Sequence, residues 1–238
     1  MIMPTVRASV GRDDALHLIE LLSGGDPDLR HAAHQRLEED GVDGLLDDPR
    51  VLNAVLTDPN VKVRPPVFFY ILVRQALLEG GVEDRTTADY VASMVLAFAH
   101  GGRAYRVSEG AQEEYRYLVD IVTKMGESPP REAFMLRAHL GDFSLWLSGV
   151  FPDFIESRVR RRGAPPIQYY EQMGVAGYAM ASESPEAATM GVGSVFSEVS
   201  RHFSSVRVAL NRISDRYLFP SAGDSVDRLL REIAATAP

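Results

Sequence analysis

His31, His34 and Glu38 fall at i, i+3 and i+7 of one predicted helix. Those offsets share a helix face, so two imidazoles and a carboxylate could converge on a borderline divalent metal ion. The surrounding segment is strongly polar, and a solvated helix face explains the same spacing. No Glu-x-x-His pair accompanies them, which removes the ligand set of a di-iron bundle.

A second pairing, His139 with Asp142, lies i, i+3 in a helix of otherwise apolar character. Imidazole beside carboxylate is what a general base and its orienting group require. No Gly-x-Ser-x-Gly elbow supplies a nucleophile. A buried histidine locked to an aspartate is the structural alternative.

The third candidate is the basic run Arg158, Arg160, Arg161 and Arg162, followed by Tyr169 and Tyr170. Guanidinium forks bind phosphate and carboxylate bidentately, and the tyrosines could stack a base. The run also ends a helix before Gly163, where cations complement the helix dipole. Pairing with the acidic first quarter, in the same chain or in a second copy, is the alternative to a ligand.

Net charge constrains these readings. The chain of 238 residues carries a formal charge of −8. Up to Asn60 there are five basic and twelve acidic residues, so −7 of that −8 lies there. A generic nucleic-acid or anionic-membrane role is disfavoured, because such binding needs a basic footprint. With no cysteine, disulfides, thiolate metal sites and cysteine nucleophiles are excluded. There is no Walker A loop, no Gly-x-Gly-x-x-Gly after a strand, no His-Glu-x-x-His and no EF-hand loop. No cofactor is expected. Met1–Val10 lacks the apolar core of a signal peptide, and the apolar run Val67–Val73 falls well short of the ~20 residues of a membrane span. These features point to a cytoplasmic protein.

The elements that must position the candidates are helices. Predicted segments are 13–22, 26–40, 42–46, 49–56, 65–78, 86–99, 111–125, 131–148, 153–162, 167–181, 186–217 with breaks at Gly191 and Gly193, and 226–235. Double prolines open three of them, fixing φ and removing a donor that the first turn would leave unpaired. No Asn-Gly or Asp-Gly turn lies between alternating apolar runs, so no hairpin is expected. The fold class is all-α, a globular bundle of about ten to twelve helices. An acidic subdomain, residues 1–62, precedes a main domain, 63–238, unless the two are continuous. Asp26–Arg30 and Asp58–Lys62 echo each other in a way that resembles the turns of HEAT-type solenoids. Gly174, Gly177 and Ala181, at i, i+3 and i+7, suggest close helix–helix approach. Phe143, Leu145, Trp146, Leu147, Val150, Phe151 and Phe154 form the densest apolar stretch, either central core or a face covered by a partner.

Two segments resemble a family of bacterial all-helical proteins with no assigned activity. They are Asp84–Arg103, DRTTADYVASMVLAFAHGGR, and His139–Gly174, HLGDFSLWLSGVFPDFIESRVRRRGAPPIQYYEQMG. With Phe68–Leu78 and Ala209–Tyr217 the resemblance covers under half of the chain. It implies a bacterial, cytoplasmic, helical protein and supplies no catalytic residue.

Three functions remain open. The leading one is a non-enzymatic interaction or regulatory protein, self-associating as a homodimer or other homo-oligomer, or binding a protein partner. The second is a small-ligand binder or enzyme with an interhelical pocket near His139 and Asp142. The third is phosphate or nucleic-acid binding through Arg158–Arg162.

Overall fold

The computed structural model describes residues 1–57, 63–99, 102–108 and 110–218. Among them are thirteen α-helices and no strand. The all-α expectation holds. No helix of the described residues is long and apolar enough to cross a membrane. The second Asp-Pro turn (Asp58–Lys62) and the helix expected over 226–235 lie outside the described residues. The chain divides into two compact units, Ile2–His100 and Gly101–Pro238, the latter including Met1.

The N-terminal unit comprises α1 (Arg12–Ser23), α2 (Pro27–Asp40), α3 (Val42–Leu46), α4 (Val51–Thr57), α5 (Pro65–Glu79) and α6 (Arg85–Phe98). Local chemistry sets the boundaries. Asp14 accepts from the Gly11 amide at the start of α1, and Gly24 ends that helix in the left-handed region at φ 54°. The Asp26 carboxylate caps α2 through the Asp28 and Leu29 amides, with Pro27 at the first helical position. Asp84 caps α6 through the Thr87 amide. Tyr70, Ile71, Leu72 and Val73 of α5 are buried, as are Tyr90, Val91 and Met94 of α6, and the two helices pack together.

Charge is neutralised within this unit. Asp47 receives Arg74 at 2.6 Å and Arg85 at 2.8 Å, and the Arg74 side chain is only 4% exposed. Asp48, 1% exposed, receives Arg36 and Arg50. Arg7 clasps Asp43 with two N–H groups. Residues 2–10 run across the unit, with Ile2 and Val6 buried and the Thr5 and Arg7 amides donating to Ser93 and Asp89.

The C-terminal unit holds α7 (Leu118–Glu127), α8 (Pro130–Val150), α9 (Pro152–Arg162), α10 (Ile167–Ser182), α11 (Pro185–Met190), α12 (Gly193–Arg201) and α13 (Phe203–Ile213), closed by a π turn over Ser214–Leu218. The central helix is α8, packed by α7, α10 and α13. Glycines allow the α8–α10 crossing. A Cβ on Gly177 would lie 2.8 Å from the Arg137 carbonyl oxygen and 2.8 Å from the Gly141 amide nitrogen. One on Gly174 would meet Ser144 Cβ of α8 at 3.0 Å and the Phe203 ring of α13 at 2.3 Å, and one on Gly141 the Tyr178 ring at 2.6 Å. Within the dense apolar stretch, Phe143, Leu145 and Val150 are buried, while Trp146, Leu147, Phe151 and Phe154 are half-buried.

Two helix expectations need correction. The helix expected over 111–125 begins only at Leu118. The Tyr115 amide donates instead to the Tyr105 carbonyl at 2.7 Å, and Glu113 and Glu114 are taken up by Tyr115, Lys124 and Arg106. Tertiary partners here override a helical propensity of a few tenths of a kcal/mol per residue. Within α7, Leu118 and Ile121 are buried and Val119 is 59% exposed. The segment 186–217 divides in three, at Gly191 (φ 67°) as expected and again at His202.

Candidate functional site

His139 and Asp142 sit one turn apart in the middle of α8, each 2% exposed. The Tyr178 hydroxyl of α10 donates to Asp142 Oδ1 at 2.8 Å. The His139 ring stacks on Phe143 at 6.0 Å and 3°, with Tyr115 tilted beside it at 6.4 Å. Burial holds the imidazole far below its ordinary range, down to about 3, and the positive charges of Arg103 and the Met1 amino group act in the same direction. The histidine is therefore neutral at physiological pH, and its basicity is weak for a general base that works near pH 7.

Three members of this cluster escape a sequence reading. Tyr178 satisfies the carboxylate from 36 positions away. Arg103, in a 3-10 turn (Arg103–Tyr105), and the Met1 amino group, which donates to the Val107 carbonyl at 3.0 Å, supply the charge. The amine itself is shifted down by burial and by Arg103, with Asp142 opposing. A signal for Tyr178 does exist in the sequence: Gly141, a mid-helix glycine beside Asp142, is where the tyrosine ring crosses α8.

One cavity of about 430 Å³ in this unit is lined by Val107, Glu113, Tyr115, Arg131, Met135 and Leu136, among others. Another, about 480 Å³ in the N-terminal unit, is lined by Asp14, His17, Leu18, Arg64 and Val67, among others. Neither is lined by His139 or Asp142. Tyr115, tilted beside the His139 ring, also lines the first cavity.

The arginine run separates into one seated residue and three open ones. The Arg158 guanidinium lies 5.7 Å over the Tyr117 ring and 5.5 Å over the Phe154 ring, a cation–π seat. Its Nε is buried with no hydrogen-bond partner among the described residues. Tyr170 is 8% exposed, and burial raises its hydroxyl while the charge of Arg158 opposes that shift. Tyr169 and Tyr170 meet edge to face at 5.7 Å. The structure thus brings Arg158 and Tyr170 together with Tyr117 and Phe154. Arg160, Arg161 and Arg162 are exposed and form no ion pair among the described residues. They close α9 at its negative dipole end, where Gly163 adopts φ 60°.

His31, His34 and Glu38 are all exposed on α2. Among the described residues no group of three or more histidine, cysteine, aspartate or glutamate side chains is placed to hold a metal ion.

Comparison with protein-family models, curated proteins and solved structures gives no match to this chain.

Proposed function

We propose that this protein is a non-enzymatic helical interaction protein whose contact surface is the arginine-rich end of α9, and that it engages an acidic segment of a protein. The observation that carries the proposal is the division of the run: Arg158 is fixed on an aromatic seat, while Arg160, Arg161 and Arg162 project without an ion-pair partner among the described residues. A seated guanidinium loses little side-chain freedom on binding, and three open ones supply long-range attraction. Tyr117, 55% exposed beside Arg158, adds an aromatic anchor of the kind enriched at interfaces. With a net charge of −8, attraction to an anionic partner is confined to this basic end of α9.

The test is retention on immobilised polyglutamate across a salt series, with single-stranded nucleic acid as the competitor. Retention should fall steeply with salt, and Arg160→Glu, Arg161→Glu and Arg162→Glu together should abolish it. Retention that ignores both salt and the triple substitution overturns the proposal. Preferential displacement by nucleic acid transfers the surface to the phosphate-binding reading.

A further inference from the structure

We infer that the acidic partner of the α9 arginines is a second copy of this chain, through the run Glu38–Glu39–Asp40 that ends α2. This rests on the interaction reading given above and names its occupant. Most aspartates near α2 are neutralised inside their own unit: Asp43 by Arg7, Asp47 by Arg74 and Arg85, and Asp48 by Arg36 and Arg50. The last three residues of α2 are not. Glu38, Glu39 and Asp40 are exposed and form no ion pair among the described residues, and Glu39 accepts only from the Gln35 side chain.

Their position is electrostatically unfavourable. They crowd three negative charges into the last turn of a helix, at the negative end of its dipole, and no basic residue accompanies them there. Cations delivered from outside relieve both the mutual repulsion and the clash with the dipole. The α9 run offers three consecutive guanidiniums, Arg160, Arg161 and Arg162, also in a final turn and also exposed. Three carboxylates and three guanidiniums match in number and are opposite in charge, and a guanidinium that meets a carboxylate can fork onto it. The contact joins unlike surfaces, α9 of one copy to α2 of another, so it is heterologous in type.

Charge exchange tests this directly. One variant carries Arg160→Glu, Arg161→Glu and Arg162→Glu. The other carries Glu38→Arg, Glu39→Arg and Asp40→Arg. Circular dichroism and thermal unfolding of each verify that the exposed substitutions leave the fold intact. In sedimentation velocity at low salt, wild type should associate with rising concentration and dissociate as salt is added. Each variant alone should be monomeric, because its contact sets like charges against each other. An equimolar mixture should associate again, since every α9–α2 contact between unlike variants is once more complementary. A wild type that stays monomeric throughout, or a mixture that fails to associate, overturns the inference. If the monomeric protein still shows salt-dependent retention on polyglutamate, the acidic-partner reading survives while the second copy does not. Loss of both results removes the α9 surface altogether.

Discussion

The two compact units use charge to different extents: several aspartates are clasped by arginines in the first, whereas in the second Arg207 and Glu171 join α13 to α10 and the α9 arginines stay unpaired among the described residues. In Ile2–His100, arginines and aspartates far apart in sequence are drawn together around α3, and the buried Arg74 joins Asp47 to the Glu83 carbonyl. In Gly101–Pro238 the interior is held by ring packing and by glycine-permitted helix approach, while the basic run of α9 stays outside. Asp142 and His139 are buried there beside Ser144, Ser148, Ser184 and Ser214, with Asp142 accepting from Tyr178 and His139 kept neutral. A charge cluster in a sequence is thus not one kind of signal. The aspartates of 43–48 are structural because cations from other elements reach them. The arginines of 160–162 form no ion pair among the described residues, and the proposed contact surface rests on that.

Substitutions can sharpen or break that contrast. The largest effect is expected at Arg74. Arg74→Ala leaves Asp47 short of its most buried partner and should cost about 3–5 kcal/mol in chemical unfolding. A loss below 1 kcal/mol would mean that the pair is solvated and the contrast between the units is false.

Next is acid sensitivity. His139 has a folded-state pKa below its unfolded value, so the unfolded chain binds more protons between about 6.5 and 3. Stability is therefore full above that window and falls as pH drops through it, by roughly 3 kcal/mol between pH 7 and pH 4. His139→Gln should flatten this slope, read as unfolding midpoints from pH 7 to pH 4. The Asp47 carboxylate behaves differently. Burial pushes it up, but Arg74 and Arg85 outweigh burial and hold it below the usual carboxylate range. Its contribution is present above the ordinary aspartate pKa and is lost only as pH falls further through the folded value.

Gly177→Ala follows. The added methyl meets the Arg137 carbonyl and the Gly141 amide, which belong to the backbone and cannot rotate away, so the cost should be about 3 kcal/mol in urea unfolding. Tyr178→Phe, which removes the donor to Asp142, should cost about 1–3 kcal/mol. The smallest stability effect, within ~0.5 kcal/mol, is expected for Arg160, Arg161 and Arg162 changed to alanine.

Much of the fold is legible in the sequence because its signals are local. Asp26 with Pro27, Pro65 with Pro66 and Pro129 with Pro130 start helices within a residue or two of where the structure has them. Gly24 and Gly163 end helices in the left-handed region for the same local reason. The segment 111–117 is misread because its helix-compatible residues answer to Tyr105 and Lys124, contacts that only the fold creates. The candidate site divides along the same line. Arg158–Arg162 is legible because it is contiguous. The seat that fixes Arg158 is not, since Tyr117 comes from 41 positions away, at the start of α7. Tyr178 facing Asp142 is hidden in the same way, although the glycines that let α10 approach α8 are visible.

One paired measurement tests the central contrast most directly. Thermal unfolding and polyglutamate affinity are recorded for Arg74→Ala and for the alanine triple at Arg160, Arg161 and Arg162. Opposite losses are expected: Arg74→Ala unfolds earlier with its affinity intact, and the triple keeps its midpoint while binding disappears. Equal effects of the two variants on stability, with affinity unchanged in both, would contradict that contrast.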